Sequence, residues 1–159
     1  MNVRYIKLIL SFVLVLLTMS IILTFSLQTG EKSSNTSTGV IEEVLNSVIG
    51  EENVTDEMVS SFQIPVRKMA HFGIYMLLGF TLINLFNQIV LTFDLSKYLM
   101  YVSFFVGILY AIFDEFVIQG VTTGRAPSWI DVLIDTSGVA IGIILFIPIL
   151  TLTKKLNKK

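Results

Sequence analysis

The sequence predicts an all-α, polytopic membrane protein with four transmembrane helices and an outer amphipathic helix. Three observations carry that reading. The 159 residues are 53% hydrophobic and only 14% charged, whereas about a quarter of a soluble globular chain is charged. Four long apolar runs each approach the ~20 residues that cross a bilayer core. None has the polar stripe that lets a surface helix meet water. A net charge of −1, with no basic patch interleaved with aromatics, argues against a nucleic-acid role. Cysteine is absent, so disulfides, thiolate nucleophiles and cysteine metal sites are excluded.

The first run, Leu8–Leu27, follows Arg4 and Lys7. It outruns the ~7–15-residue apolar core of a signal peptide and no small-x-small cleavage site follows, so it reads as an uncleaved anchor. Residues 28–64 form the extracytoplasmic segment. Its start, QTGEKSSNTSTG, reads as a polar, flexible stretch. Val40, Ile41, Val44, Leu45, Val48 and Ile49 then share one helical face opposite Glu42 and Glu43, the pattern of an amphipathic helix. Glu51, Glu52, Asp56 and Glu57 read as a solvated face, and Pro65 as a turn into the next span. The second run, Met69–Leu91, contains one ionisable residue, His71. Thr92–Lys97 is a short connector that makes its flanking helices antiparallel neighbours. The third run, Tyr98–Ile118, ends in the carboxylates Asp114 and Glu115, and the fourth, Val132–Leu152, is interrupted by Asp135. No repeat divides the chain, so residues 1–159 read as a single membrane domain.

The positive-inside rule orients the spans. With both termini cytoplasmic, Arg4, Lys7, Lys97, Lys154, Lys155, Lys158 and Lys159 lie inside, against Lys32, Arg67, Lys68 and Arg125 outside. The KKLNKK tail would meet anionic inner-leaflet lipid. That topology gathers Arg67, Lys68, His71, Asp114, Glu115, Gln119, Arg125, Asp131 and Asp135 at one outer-leaflet level. Arg67 and His71, Glu115 and Gln119, and Asp131 and Asp135 are each four apart, on one helical face. Ionisable groups at membrane depth face the bundle interior and pair with one another. The carboxylates are therefore expected to be held by Arg67, Lys68, His71 and Arg125.

Such a cluster suits two chemistries. Arginine forks bind phosphate or carboxylate, so an outer-leaflet headgroup or lipid-linked cell-wall precursor fits. His71 with Asp114 or Glu115 offers acid–base catalysis, because crowded carboxylates in low dielectric have their pKa values pushed apart. The same residues also serve as ion pairs locking helix ends, and the amphipathic helix as a partner surface. One histidine excludes a His-rich zinc site; a His/Asp/Glu site for a divalent ion stays open but has no recognisable ligand spacing, and no metal or cofactor is expected.

In order, FSLQTGEKSSNTS, RKMAHFGIYMLLG, DEFVIQ, GR and DVLIDTSGVAIG resemble the VanZ-like family of bacterial membrane proteins. The pieces resemble FSxQxG followed by two serines (Ser26, Gln28, Ser34, Ser37), RKxAHxxxYxxLG (Arg67, Lys68, His71, Tyr75, Gly79), DE (Asp114, Glu115), GR (Gly124, Arg125) and DxxxDxxGxxxG (Asp131, Asp135, Gly138, Gly142). The family's DExxQ has one extra residue here, so either Gln119 is the family glutamine, displaced by a helical bulge, or Ile118 holds its place. Gly138 and Gly142 read as helix packing. The resemblance implies the bacterial cytoplasmic membrane and a link to low-level teicoplanin resistance. The expected binding residues are Gln28, Arg67, Lys68, Gln119, Arg125, Asp131 and Asp135. If the protein is an enzyme, His71, Asp114 and Glu115 are its expected catalytic groups. The expected partners are the bilayer and a membrane lipid or lipid-linked envelope precursor.

Overall fold

The computed structural model describes residues 2–93, 95 and 98–156, excepting the side chains of Leu99 and residues 150–156. Residues 94, 96 and 97 of the expected Thr92–Lys97 connector and residues 157–159 of the KKLNKK tail lie outside that range. The described residues form five α-helices: α1 Val3–Ser26, α2 Gly30–Ile49, α3 Asp56–Phe93, α4 Leu99–Phe113 and α5 Trp129–Leu156. A five-residue π turn, Asp114–Ile118, continues α4 and leads into a 3-10 turn, Gln119–Val121. Four segments are long and apolar enough to cross a membrane: Val3–Ser26, Asp56–Phe93, Met100–Val121 and Trp129–Ile149.

Helix α3 is the hub, packed against each of the other four helices. Tyr75, Leu78 and Leu82 of α3 meet Val15 and Ile22 of α1, Ala111 of α4, and Val132 and Val139 of α5. Large apolar side chains such as Phe12, Phe105, Leu109, Leu133 and Ile144 point outward, which suits a bundle solvated by lipid rather than water. Helix α1 is polar inside and apolar outside. Its buried stripe is Ser11, Val15, Thr18, Ile22 and Ser26, spaced to share one face. Ser11 Oγ accepts from Asn84 Nδ2 of α3 at 2.9 Å, and the Met19 carbonyl accepts from the Tyr110 hydroxyl of α4 at 2.8 Å.

Helices α3 and α5 approach closely, and glycine permits it. A Cβ at Gly79 would overlap the Val139 carbonyl, and one at Gly142 would overlap that of Met76. This small-xxx-small contact brings the start of α5 against the middle of α3.

Three expectations are corrected. QTGEKSSNTSTG is not flexible from Gly30 onward, because α2 begins there. Thr29 caps it by accepting from the Lys32 N–H, and Thr36 and Ser37 donate back to carbonyls four residues earlier. The apolar face of α2 is split: Ile41 is buried against the bundle, while Val40, Val44 and Val48 are exposed. Pro65 is not a turn. It lies inside α3, which runs unbroken from Asp56. The Ser61 carbonyl that loses its donor there is on an exposed stretch where water can serve it. At ~1.5 Å per residue, the 38 residues of α3 reach well beyond a hydrocarbon core of ~30 Å. Its first turns therefore project past the bundle, with α2 alongside and Gln63 Nε2 donating to Thr38 Oγ1 at 2.8 Å.

Gly142→Leu should destabilise the bundle by about 1–3 kcal/mol through overpacking. Gly73→Ala, where a Cβ meets nothing within 4 Å, should be near neutral. Thermal unfolding of both variants in detergent checks the contrast; equal melting would mean that the α3–α5 approach does not need its glycines.

Candidate functional site

The two adjacent carboxylates are positioned by the π turn. In a regular helix, residues five apart are rotated by about 140° (at ~3.6 residues per turn), so one glutamine cannot serve positions four and five before it. The π turn closes that gap, with the Gln119 N–H bonded to the Asp114 carbonyl. Gln119 Nε2 then donates to Glu115 Oε2 at 2.6 Å and to Asp114 Oδ2 at 3.2 Å. Gln119 is buried in this network, while Ile118 is not. The extra residue is absorbed by the bulge, and the glutamine stays with its carboxylates.

Asp114 and Glu115 are held differently from expectation. Among the described residues, no lysine or arginine pairs with either. Neutral donors do the work. Asp114 Oδ2 accepts from the Ser26 hydroxyl at the end of α1 at 2.8 Å. Glu115 Oε1 accepts from the Ser128 backbone N–H at 2.9 Å, at the entrance to α5, where a negative charge also suits the helix dipole. Buried cation–carboxylate pairs lose heavily to desolvation, which makes dipolar donors an effective substitute.

The cations lie around this core. Arg125 donates from Nη1 to Gln119 Oε1, from Nε to the Gln28 carbonyl at 2.9 Å, and from Nη2 to that of Phe25 at 3.0 Å. It ties the end of α1 to the carboxylate network through one amide. Gly124, at φ 76°, shapes the turn before it, and the Gly30 N–H bonds the Thr123 carbonyl at 3.0 Å. Burial and the nearby Arg67 lower the Arg125 pKa from its ordinary value, with Asp114 and Glu115 opposing. Lys68 pairs with Asp131 across α3 and α5, both about one-third exposed. His71 Nδ1 stands 3.7 Å from Asp135 Oδ1, and Asp135 is fully buried. Arg67 makes no ion pair or hydrogen bond among the described residues.

Two cavities meet at Arg67 and His71. A polar one of about 240 Å³ lies between α3, the π turn and α5, lined by Lys68, Glu115, Gln119, Asp131 and Asp135 as well. The other, about 480 Å³, lies between α1, α2 and α3, walled by residues such as Ile22, Phe25, Val40 and Ile74, with Arg125 and Gln28 at its polar end.

The VanZ/LLP1 family profile matches residues 11–152. The chain belongs to the VanZ/LLP1 family. No curated protein and no solved structure matches it. This VanZ/LLP1 chain is a multi-pass membrane protein by its four spans and its family. Its site draws on two groups absent from the expected site residues. Ser26 was legible only as one letter of a motif. The Ser128 N–H carries no side-chain signal at all. Tyr75 also reaches the site, fully buried with its hydroxyl directed at Asp114 but closing no hydrogen bond.

Gln119→Leu should cost about 1–3 kcal/mol for each buried carboxylate oxygen left without its donor. Lys68→Ala should cost ~0–1 kcal/mol, as for an exposed pair. Chemical or thermal unfolding of the two variants decides whether the glutamine or the visible ion pair holds the helix ends.

Proposed function

We propose that this protein binds an anionic, lipid-anchored component of the cell envelope, with its head at Arg67 and its tail in the apolar cavity. The observation that carries the reading is the pairing of like charges. Arg67 lacks an acidic partner and lies close enough to Arg125 to lower its pKa, and both line one cavity with apolar walls. Two neighbouring guanidiniums repel unless an anion joins them, and guanidinium forks suit phosphate and carboxylate. The exposed Val40, Val44 and Val48 place an apolar helix face beside that cavity. Membrane phospholipid, a lipid-linked precursor and a lipidated glycopeptide share the required chemistry. With both termini cytoplasmic, the site faces outward, and sequestering such a ligand would support teicoplanin tolerance.

The acid–base alternative has less support. Glu115 uses both carboxylate oxygens on Gln119 and Ser128, and Asp114 is enclosed behind them. The partner-binding alternative rests on the exposed half of α2 alone.

Native mass spectrometry with phosphatidylglycerol as the probe tests the binding reading. Arg67→Ala should weaken retention by about tenfold, ~1.4 kcal/mol, while Glu115→Gln retains it. Equal retention by Arg67→Ala would remove the reading. In a sensitive host, expression of the wild type should raise teicoplanin tolerance, and Arg67→Ala should lose that gain at equal membrane abundance. Orientation has its own check, because the chain has no cysteine. An impermeant thiol reagent should label Ser34→Cys and Thr123→Cys from outside, and not Ser96→Cys.

A further inference from the structure

We infer that His71, Asp114 and Asp135 form a binding site for one divalent transition-metal ion, of the zinc or manganese class. Their candidate ligand atoms all lie within 4.8 Å of one another. The three come from α3, the π turn and α5, so each element contributes one donor to a common point. Asp114 is 1% exposed and Asp135 0% exposed. Three of their four carboxylate oxygens, Asp114 Oδ1 and both oxygens of Asp135, have no hydrogen-bond partner, nor has the Tyr75 hydroxyl that faces Asp114.

That vacancy of partners is what separates this cluster from the rest of the site. Glu115 and the second oxygen of Asp114 are satisfied by dipolar donors. Buried polar groups normally find partners, and buried charges are paired or coordinate metals. Here one oxygen of each carboxylate lies within 4.8 Å of the other and of an imidazole nitrogen. Two carboxylates carry a charge of −2, which one divalent ion cancels. A mixed set of one nitrogen and carboxylate oxygens suits zinc or manganese better than calcium, which takes oxygens alone. His71 and Asp135 also line the polar cavity, so the ion keeps an accessible side. No metal-ligand spacing marks the site in the sequence, because its ligands are separated along the chain and are brought together by the fold.

The site does not depend on the lipid-binding reading and is tested with metal alone. The detergent-purified, full-length protein is stripped with a chelator, dialysed against Zn²⁺ or Mn²⁺, desalted and analysed for bound metal. The wild type should retain about one ion per chain and gain thermal stability with it. Glu43→Gln, exposed on α2 and away from the cavity, should behave alike. Asp135→Asn and His71→Gln should bind at least ~10-fold more weakly, with no metal-dependent gain in melting temperature. The inference is overturned if monodisperse wild type retains less than about a tenth of an ion per chain with both metals, or if Asp135→Asn retains as much as wild type. Should the variants fail to fold, the stoichiometry and melting shift of the wild type decide alone.

Discussion

Carboxylates buried in a bundle of apolar helices must be satisfied by the protein itself, and that constraint organises this structure. Water is not at hand inside a hydrocarbon-embedded bundle, and an unsatisfied polar group there costs several kcal/mol. The chain answers by bringing one donor from each neighbour: Ser26 from α1, Gln119 from the 3-10 turn that follows the π turn, and the Ser128 N–H from the start of α5. Each donor is also a tether. The same bonds that solvate Asp114 and Glu115 fix where α1 ends and where α5 begins.

The glycine contact and the π turn are two parts of one solution. Without Gly79 and Gly142 the backbones of α3 and α5 could not close, and Asp135 would not stand opposite His71. Without the extra turn, Gln119 could not reach both carboxylates. Arg125 then acts on the network from outside, joining the α1 carbonyls to the amide of Gln119. Removing a visible ion pair, Lys68 with Asp131, disturbs none of these bonds, because that pair lies at the solvent-facing rim.

Much of this was legible in the sequence, for identifiable reasons. Apolar runs of span length have few structural alternatives, so the four spans were readable, as was the gathering of charged residues at one end. Local polarity was misleading where tertiary or capping bonds decide the outcome. The serine- and threonine-rich start of α2 looked flexible, yet its hydroxyls are absorbed by helical carbonyls and by the Thr29 cap. Pro65 looked like a boundary, but an exposed helix tolerates the lost bond. Counting cations against carboxylates suggested direct pairs, and the structure places neutral donors between them. A backbone N–H such as that of Ser128 leaves no trace in residue identities, so half of what holds Glu115 could not be read.

The arrangement of charge around the two cavities has a consequence for what can enter them. The floor of the polar cavity is acidic, with Glu115 and Asp135 facing the space that Arg67 and Lys68 overlook. A phosphate drawn in by the rim would meet negative charge below it. On the other face of Arg67 and His71, Arg125 replaces those carboxylates and the walls are apolar. Under the proposed binding reading, the anionic head of an amphiphile would therefore lie on the Arg67–Arg125 side, with its tail along α1 and α2. A divalent ion between His71, Asp114 and Asp135 changes that balance, because a bound cation is the largest local charge in such a site and inverts the electrostatics around it. With the proposed ion in place, the polar cavity would no longer repel an anion, so the two proposals are linked through the charge behind His71.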